Sequence, residues 1–104
     1  MIYLIVRVKF QPAKESEFLE TLGNEYIPML REKYLWHLIS SWKIQVGDLH
    51  EIMNIWKFND LGEFWANREG MFHDKIYMDA RQRLHSLMVE EHISFATALP
   101  YSPI

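Results

Sequence analysis

The sequence predicts an α+β fold with elements in the order β-α-β-β-α-β, a ferredoxin-like layout with one antiparallel four-stranded sheet and its second helix split in two. Three observations carry this. Ile2, Leu4, Val6, Val8 and Phe10 alternate with Tyr3, Ile5, Arg7 and Lys9, the period of a strand. Phe18, Leu22, Tyr26, Met29 and Leu30 recur at spacings of three and four, the stripe of an amphipathic helix. Gly47 and Asp48 then separate two β-rich runs, as in a hairpin.

The elements follow in order. Pro12 stops the first strand after Phe10 and can open the next helix. That helix runs from Lys14 to about Lys33, and Pro28 is expected to kink or divide it, because proline lacks an N–H and crowds the preceding turn. Strands follow from about Leu38 to Val46 and from Glu51 to Phe58. Asn59 or Asp60 caps a short helix that carries Leu61, Phe64 and Trp65 and ends near Gly70. Asp74 caps the next, with Tyr77, Ala80, Leu84 and Leu87 as its stripe. A fourth strand spans about Val89 to Ala98, and Pro100 and Pro103 keep the tail extended. Residues 1–104 read as one domain, long enough for a core without staples.

Composition narrows the function classes. There are no cysteines, which excludes disulfides, thiolate metal sites and cysteine nucleophiles and suits a cytoplasmic setting. The net charge is −3 with scattered Lys and Arg, so no nucleic-acid footprint is present. No apolar run approaches the ~20 residues of a membrane helix, and the N-terminus lacks the pattern of a secretory signal. Aromatic residues, by contrast, make up 14% of the chain and include four Trp, which points to a cavity or a partner surface beyond the core.

Parity assigns faces to the strands. Pairing residue 44 with residue 52 places Leu38, Ser40, Trp42, Ile44, Ile52, Asn54, Trp56 and Phe58 under the helices, together with the even residues of the first strand. The other face then holds Tyr3, Ile5, Met53, Ile55, Ile93 and Phe95 among scattered charges, too apolar for water alone. A second copy of the chain is the expected cover, giving a homodimer through that face.

On the helix-facing side, Ser40 and Asn54 are polar groups among apolar neighbours and would orient a ligand carbonyl or hydroxyl. Trp42 and Trp56 would supply flat walls for an aromatic ring. His73, at a helix start, and Tyr77, on an apolar stripe, complete the candidate ligand-binding set. His92 falls on the helix-facing parity of the fourth strand. No two of the five histidines are spaced as a metal pair on a helix, so neither metal nor cofactor is expected. No G-x-S-x-G elbow occurs, and catalytic residues cannot be assigned.

Met1-Ile2-Tyr3, Gln11-Pro12-Ala13-Lys14, Glu17-Phe18-Leu19, Ile27-Pro28-Met29-Leu30, Val46-Gly47-Asp48-Leu49, Asn54-Ile55-Trp56-Lys57-Phe58 and Leu99-Pro100-Tyr101-Ser102-Pro103 together resemble the NIPSNAP proteins, within the wider dimeric α/β-barrel group. The resemblance covers essentially the whole chain. It implies a homodimer with sheets face to face and a ligand cleft between each sheet and its own helices, but no settled activity. Relatives often carry Glu and Arg in the first strand and His before the Leu-Trp pair, where this chain has Leu4, Val6 and Asn54, so a greasier pocket is expected. The expected function is binding of a small apolar or aromatic molecule. The alternative is a cofactor-independent monooxygenase or isomerase acting on an aromatic or polyketide-like substrate. A haem-degrading relative of the same group would match Trp56, but its helix histidine would fall near Ile76 or Tyr77.

Overall fold

The computed structural model describes residues 1–47 and 49–104. Its elements are β1 (Ile2–Phe10), a 3-10 turn (Pro12–Lys14), α1 (Glu15–Thr21), β2 (His37–Lys43), β3 (Glu51–Phe58), α2 (Leu61–Met71), α3 (Lys75–Ser86) and β4 (Met88–Ala96), with two π-helical stretches, Leu22–Tyr26 and Met29–Lys33, prolonging α1. The four strands form one antiparallel sheet in the order β2-β3-β1-β4. This is the expected ferredoxin-like α+β arrangement. Among the described residues the helices lie on one face of the sheet, giving a slab of 40 × 37 × 19 Å, and the other face, here called the bare face, carries no helix and meets only part of the C-terminal tail.

Pro28 does not divide the first helix. It has helical φ −58° and ψ −39°, and the rod continues on both sides of it. The reason is a change of winding: the N–H of Ile27 bonds to Leu22 O, and that of Tyr34 to Met29 O, each five residues back. The wider π turns accommodate a ring that would clash with the carbonyl four residues earlier. Leu35 then ends the rod at φ 58°, a backbone state usually left to glycine, and lets the Trp36 N–H reach Leu30 O at 2.9 Å.

Both expected caps form. Asp60 accepts from the Glu63 N–H at 2.8 Å while the Glu63 carboxylate accepts from the Asn59 N–H, a reciprocal box that starts α2. Asp74 accepts from the N–H groups of Ile76 and Tyr77 and starts α3. Gly47 takes φ 111° in the β2–β3 connection; Asp48, its expected turn partner, lies outside the described residues.

Two strands differ in register from expectation. Leu38 pairs with Trp56, but beyond it Ser40 pairs with Ile55, Ser41 with Asn54, Trp42 with Met53 and Lys43 with Ile52. A bulge at Ile39 adds one residue, and one residue is enough to exchange faces. Ser40 and Trp42 therefore lie on the bare face, not under the helices. Ser41 and Lys43 take the inner parity, and the Lys43 ammonium reaches Glu15 of α1 at 2.6 Å.

The fourth strand is also reversed. Leu4 pairs with Phe95, Val6 with Ile93 and Arg7 with His92, after a register shift between Lys9 and Phe10. Phe95 and Ile93 thus belong to the helix side, where the Phe95 ring lies 5.0 Å from that of Phe64, and His92 belongs to the bare face. Phe95 is removed from the expected dimer surface. β4 is an edge strand exposed along most of its length, so its burial pattern offered no alternation from which to choose a face.

Candidate functional site

The core under the helices has two parts. Leu4, Leu30, Trp36, Trp56, Phe58, Phe64, Met71 and Tyr77 form one, and Val8, Phe10, Phe18, Leu22, Ile52, Leu84 and Leu87 the other. A cavity of about 60 Å³ lies where they meet, bounded by Val6, Tyr26, Asn54 and Trp56 and opening towards Arg68, Glu91 and Ile93. By volume it holds a few waters and is smaller than the roughly 150 Å³ that accommodates a benzene ring. α2 forms a thin roof nearby, since only Phe64 and Met71 of its residues are buried.

Asn54 is 4% exposed and is the polar residue on the cavity floor. Its Oδ1 accepts a hydrogen bond from the Ser41 hydroxyl at 2.5 Å. The bulge made this pairing possible by turning Ser41, rather than Ser40, towards it. Among the described residues no acceptor meets the Asn54 amide nitrogen, so its donors remain available to whatever fills the cavity.

Trp56 is 2% exposed and packs edge-on against Trp36 at 5.4 Å. Tyr77 is buried, and its hydroxyl lies 3.1 Å from that of Tyr26, which lines the cavity. Burial first, and then the neighbouring Tyr77, push the Tyr26 hydroxyl well above the ordinary tyrosine range. One hydroxyl of the pair donates to the other.

A third tyrosine ties the helices together. The Tyr34 ring meets that of Tyr77 at 5.9 Å, and its hydroxyl donates to Asp74, which also receives Lys33 Nζ at 2.5 Å. Lys33, and then Tyr34, hold the Asp74 carboxyl down to about 2. Burial and the hydrogen bond to Asp74 push Tyr34 upward.

The six candidate residues therefore separate. Asn54 and Trp56 line the inner cavity, and Tyr77 adjoins it through Tyr26. Ser40 and Trp42 line a different hollow of about 400 Å³ on the bare face, with Tyr3, Ile5, Ile39, Ile55 and the C-terminal tail. The Ser40 hydroxyl is buried there without a partner. His73 is exposed at the α2–α3 turn and lines neither cavity. Residue-by-residue reading missed Ser41, Arg68 and Glu91. Tyr26 was visible as a stripe residue, whereas Ser41 becomes an inner residue only through the bulge. Among the described residues no three of His, Cys, Asp or Glu gather as a metal site, and no helix is long and apolar enough to cross a membrane.

A ferredoxin-like sheet with helices on one face and a narrow cleft beneath them defines an α+β class shared with several solved proteins. A structure described as an antibiotic biosynthesis monooxygenase superposes with a TM-score of 0.73 at 12% identity, covering 96% of this chain and 100% of the other. A NIPSNAP family protein from Agrobacterium tumefaciens superposes more fully, with a TM-score of 0.91 at 19% identity over 99% and 97% of the two chains. An uncharacterized NIPSNAP domain protein from Burkholderia xenovorans gives 0.89 at 19% identity over 100% of both. At these identities the superpositions speak for the fold. The NIPSNAP family model matches residues 3–103, and the chain belongs to that family, as its motifs implied. Protein NipSnap of Drosophila melanogaster is 25% identical over 67 residues, which are 64% of this chain and 24% of that protein. The match thus spans about a quarter of the curated relative's length.

Proposed function

We propose that this NIPSNAP protein is a homodimeric module that binds a small apolar or aromatic molecule between its sheet and helices. The observation that carries the reading is Asn54, an amide with unused donors on the floor of an otherwise apolar cleft. A ligand bearing a carbonyl or quinone oxygen would satisfy those donors while its ring packed on Trp56. Because the cleft is narrow, entry of a ring requires outward movement of its thin α2 roof. The bare sheet face supports the dimer: Tyr3, Ile5, Met53 and Ile55 cannot be covered by the chain's own helices, and a second sheet is the cover proposed. The proposed compartment is the cytoplasm, which the cysteine-free composition suits.

The test is a screen of small quinones and polyketide-like aromatic carbonyls, followed by thermal shift and by amide NMR. A genuine ligand raises the melting temperature and perturbs the Asn54 side-chain amide and the Trp56 indole. Asn54→Leu should then weaken binding by about 1–3 kcal/mol, since a directional partner is lost at similar apolar volume. If no compound shifts the melting point, and Asn54→Leu destabilises the ligand-free protein as strongly as Trp56→Ala, Asn54 is a structural amide and the binding reading is abandoned.

A further inference from the structure

The mouth of the inner cleft is built from charge. Arg68 of α2 and Glu91 of β4 both line it, yet neither forms an ion pair with the other or with any described residue. Arg68 is half-buried and stacked, its guanidinium carbon 5.7 Å from the centre of the Phe64 ring and 4.8 Å from that of Phe72. Stacking on a ring fixes the plane of a guanidinium while leaving its edge donors free to meet an oxygen. Arg81 of α3 lies 5.6 Å from the same Phe72 ring, also without a carboxylate partner. At the rim itself Arg68 is the one guanidinium and Glu91 the one carboxylate among the lining residues, and because the two are not paired the Arg68 donors stay free for a ligand oxygen.

We infer that the rim selects a ligand carrying an anionic oxygen, a carboxylate or an acidic enolate, with Arg68 as the residue that reads the charge and the apolar cleft receiving the attached ring. This rests on the reading of the cleft as a ligand site and names the chemistry at its mouth. Tyr26, whose hydroxyl meets that of Tyr77 at 3.1 Å, brings a further hydroxyl to the cavity lining. Glu91 opposes a second negative group across the opening and so sets which way the anion turns. An aromatic acid therefore enters ring first, with its charge left at Arg68.

Indole-3-acetate and indole-3-acetamide, nearly isosteric and differing in charge, are the probes. Titration by NMR on the whole protein, read at the Asn54 side-chain amide and the Trp56 indole, gives both affinity and location. In the wild type the acid should bind about tenfold tighter than the amide, the scale of one charge-assisted pair. Arg68→Gln should abolish that preference by weakening the acid far more than the amide, whereas Glu91→Gln should tighten the acid more than the amide. Arg68→Lys, which keeps the charge without the planar fork, should retain part of the preference. Equal affinities in the wild type, with shifts at Trp56, overturn the inference while the cleft reading stands. A preference for the acid that survives Arg68→Gln overturns it too, because the charge is then read elsewhere. If neither probe shifts Asn54 or Trp56 at millimolar concentration, the cleft reading falls and the inference falls with it.

Discussion

On the helix-covered face of the sheet, Leu4, Val8, Ile52 and Trp56 are almost wholly buried, whereas on the other face Trp42 keeps 53% of its surface exposed and Tyr3, Ile5, Met53 and Ile55 are partly covered. The two faces draw on similar residue types. Apolar composition therefore does not tell core from contact surface here; register and the placement of the helices do. A Trp in β2 and a Trp in β3 look equivalent along the chain, yet a bulge between Leu38 and Ser40 sends one outward and leaves the other at the centre of the core.

The sharpest way to break this contrast is to remove each ring. Trp56→Ala should cost roughly 3–5 kcal/mol, the range for deleting a packed aromatic side chain. Trp42→Ala should change the stability of an isolated protomer by less than about 1 kcal/mol. Denaturant melts at low protein concentration compare the two, and similar losses would overturn the assignment of Trp42 to the bare face.

The next test concerns the proposed use of that face. Ile55→Glu should shift the protein from twice the monomer mass to the monomer mass in light scattering while the far-ultraviolet dichroism stays largely intact. A wild type that is monomeric at micromolar concentration sinks the dimer. A variant that loses all secondary structure would instead place Ile55 inside the intramolecular core.

A smaller effect sharpens the reversal of β4. Phe95→Ala removes the edge-to-face contact with Phe64 at 5.0 Å and should cost about 1 kcal/mol in the protomer, with the association state unchanged. Dissociation without loss of protomer stability would return Phe95 to the bare face.

The mildest prediction concerns acid. Asp74 is held at about 2 in the folded protein, against 3.8 as its ordinary value, by Lys33 and then Tyr34. A depressed folded value means that its contribution is fully present above about pH 4 and is lost as the pH falls through the window down to about 2. Asp74→Asn should flatten the stability profile in that window and leave the profile from pH 5 to 8 parallel to the wild type. An unchanged acid limb would show that the Asp74 cluster does not contribute there.

Much of this was legible along the chain, and the boundary is a physical one. Strand alternation in β1, helical spacing from Phe18 to Leu30 and the caps Asp60 and Asp74 are local signals, set by the geometry of a few neighbouring residues, and the structure reproduces them. Asn54 and Trp56 were legible as inner residues because β3 alternates cleanly. Of the two outcomes expected at Pro28, division of the helix does not occur, because whether a proline breaks a helix depends on how the surrounding turns wind, and here π turns accommodate it. Ser40, Trp42 and Phe95 were misplaced because facing is inherited from the partner strand: one extra residue at Ile39, and a shifted pairing at the start of β4, reverse it without altering the composition. That Arg68 of α2 and Glu91 of β4 line one cavity, without pairing, depends on packing across a gap in sequence that no local pattern bridges. The sequence by itself therefore determined the elements, their order and the family. The tertiary structure decided which side chains share a face and a cavity, because pairing between distant strands, unlike a helix repeat, is set by contacts that the local chain does not contain.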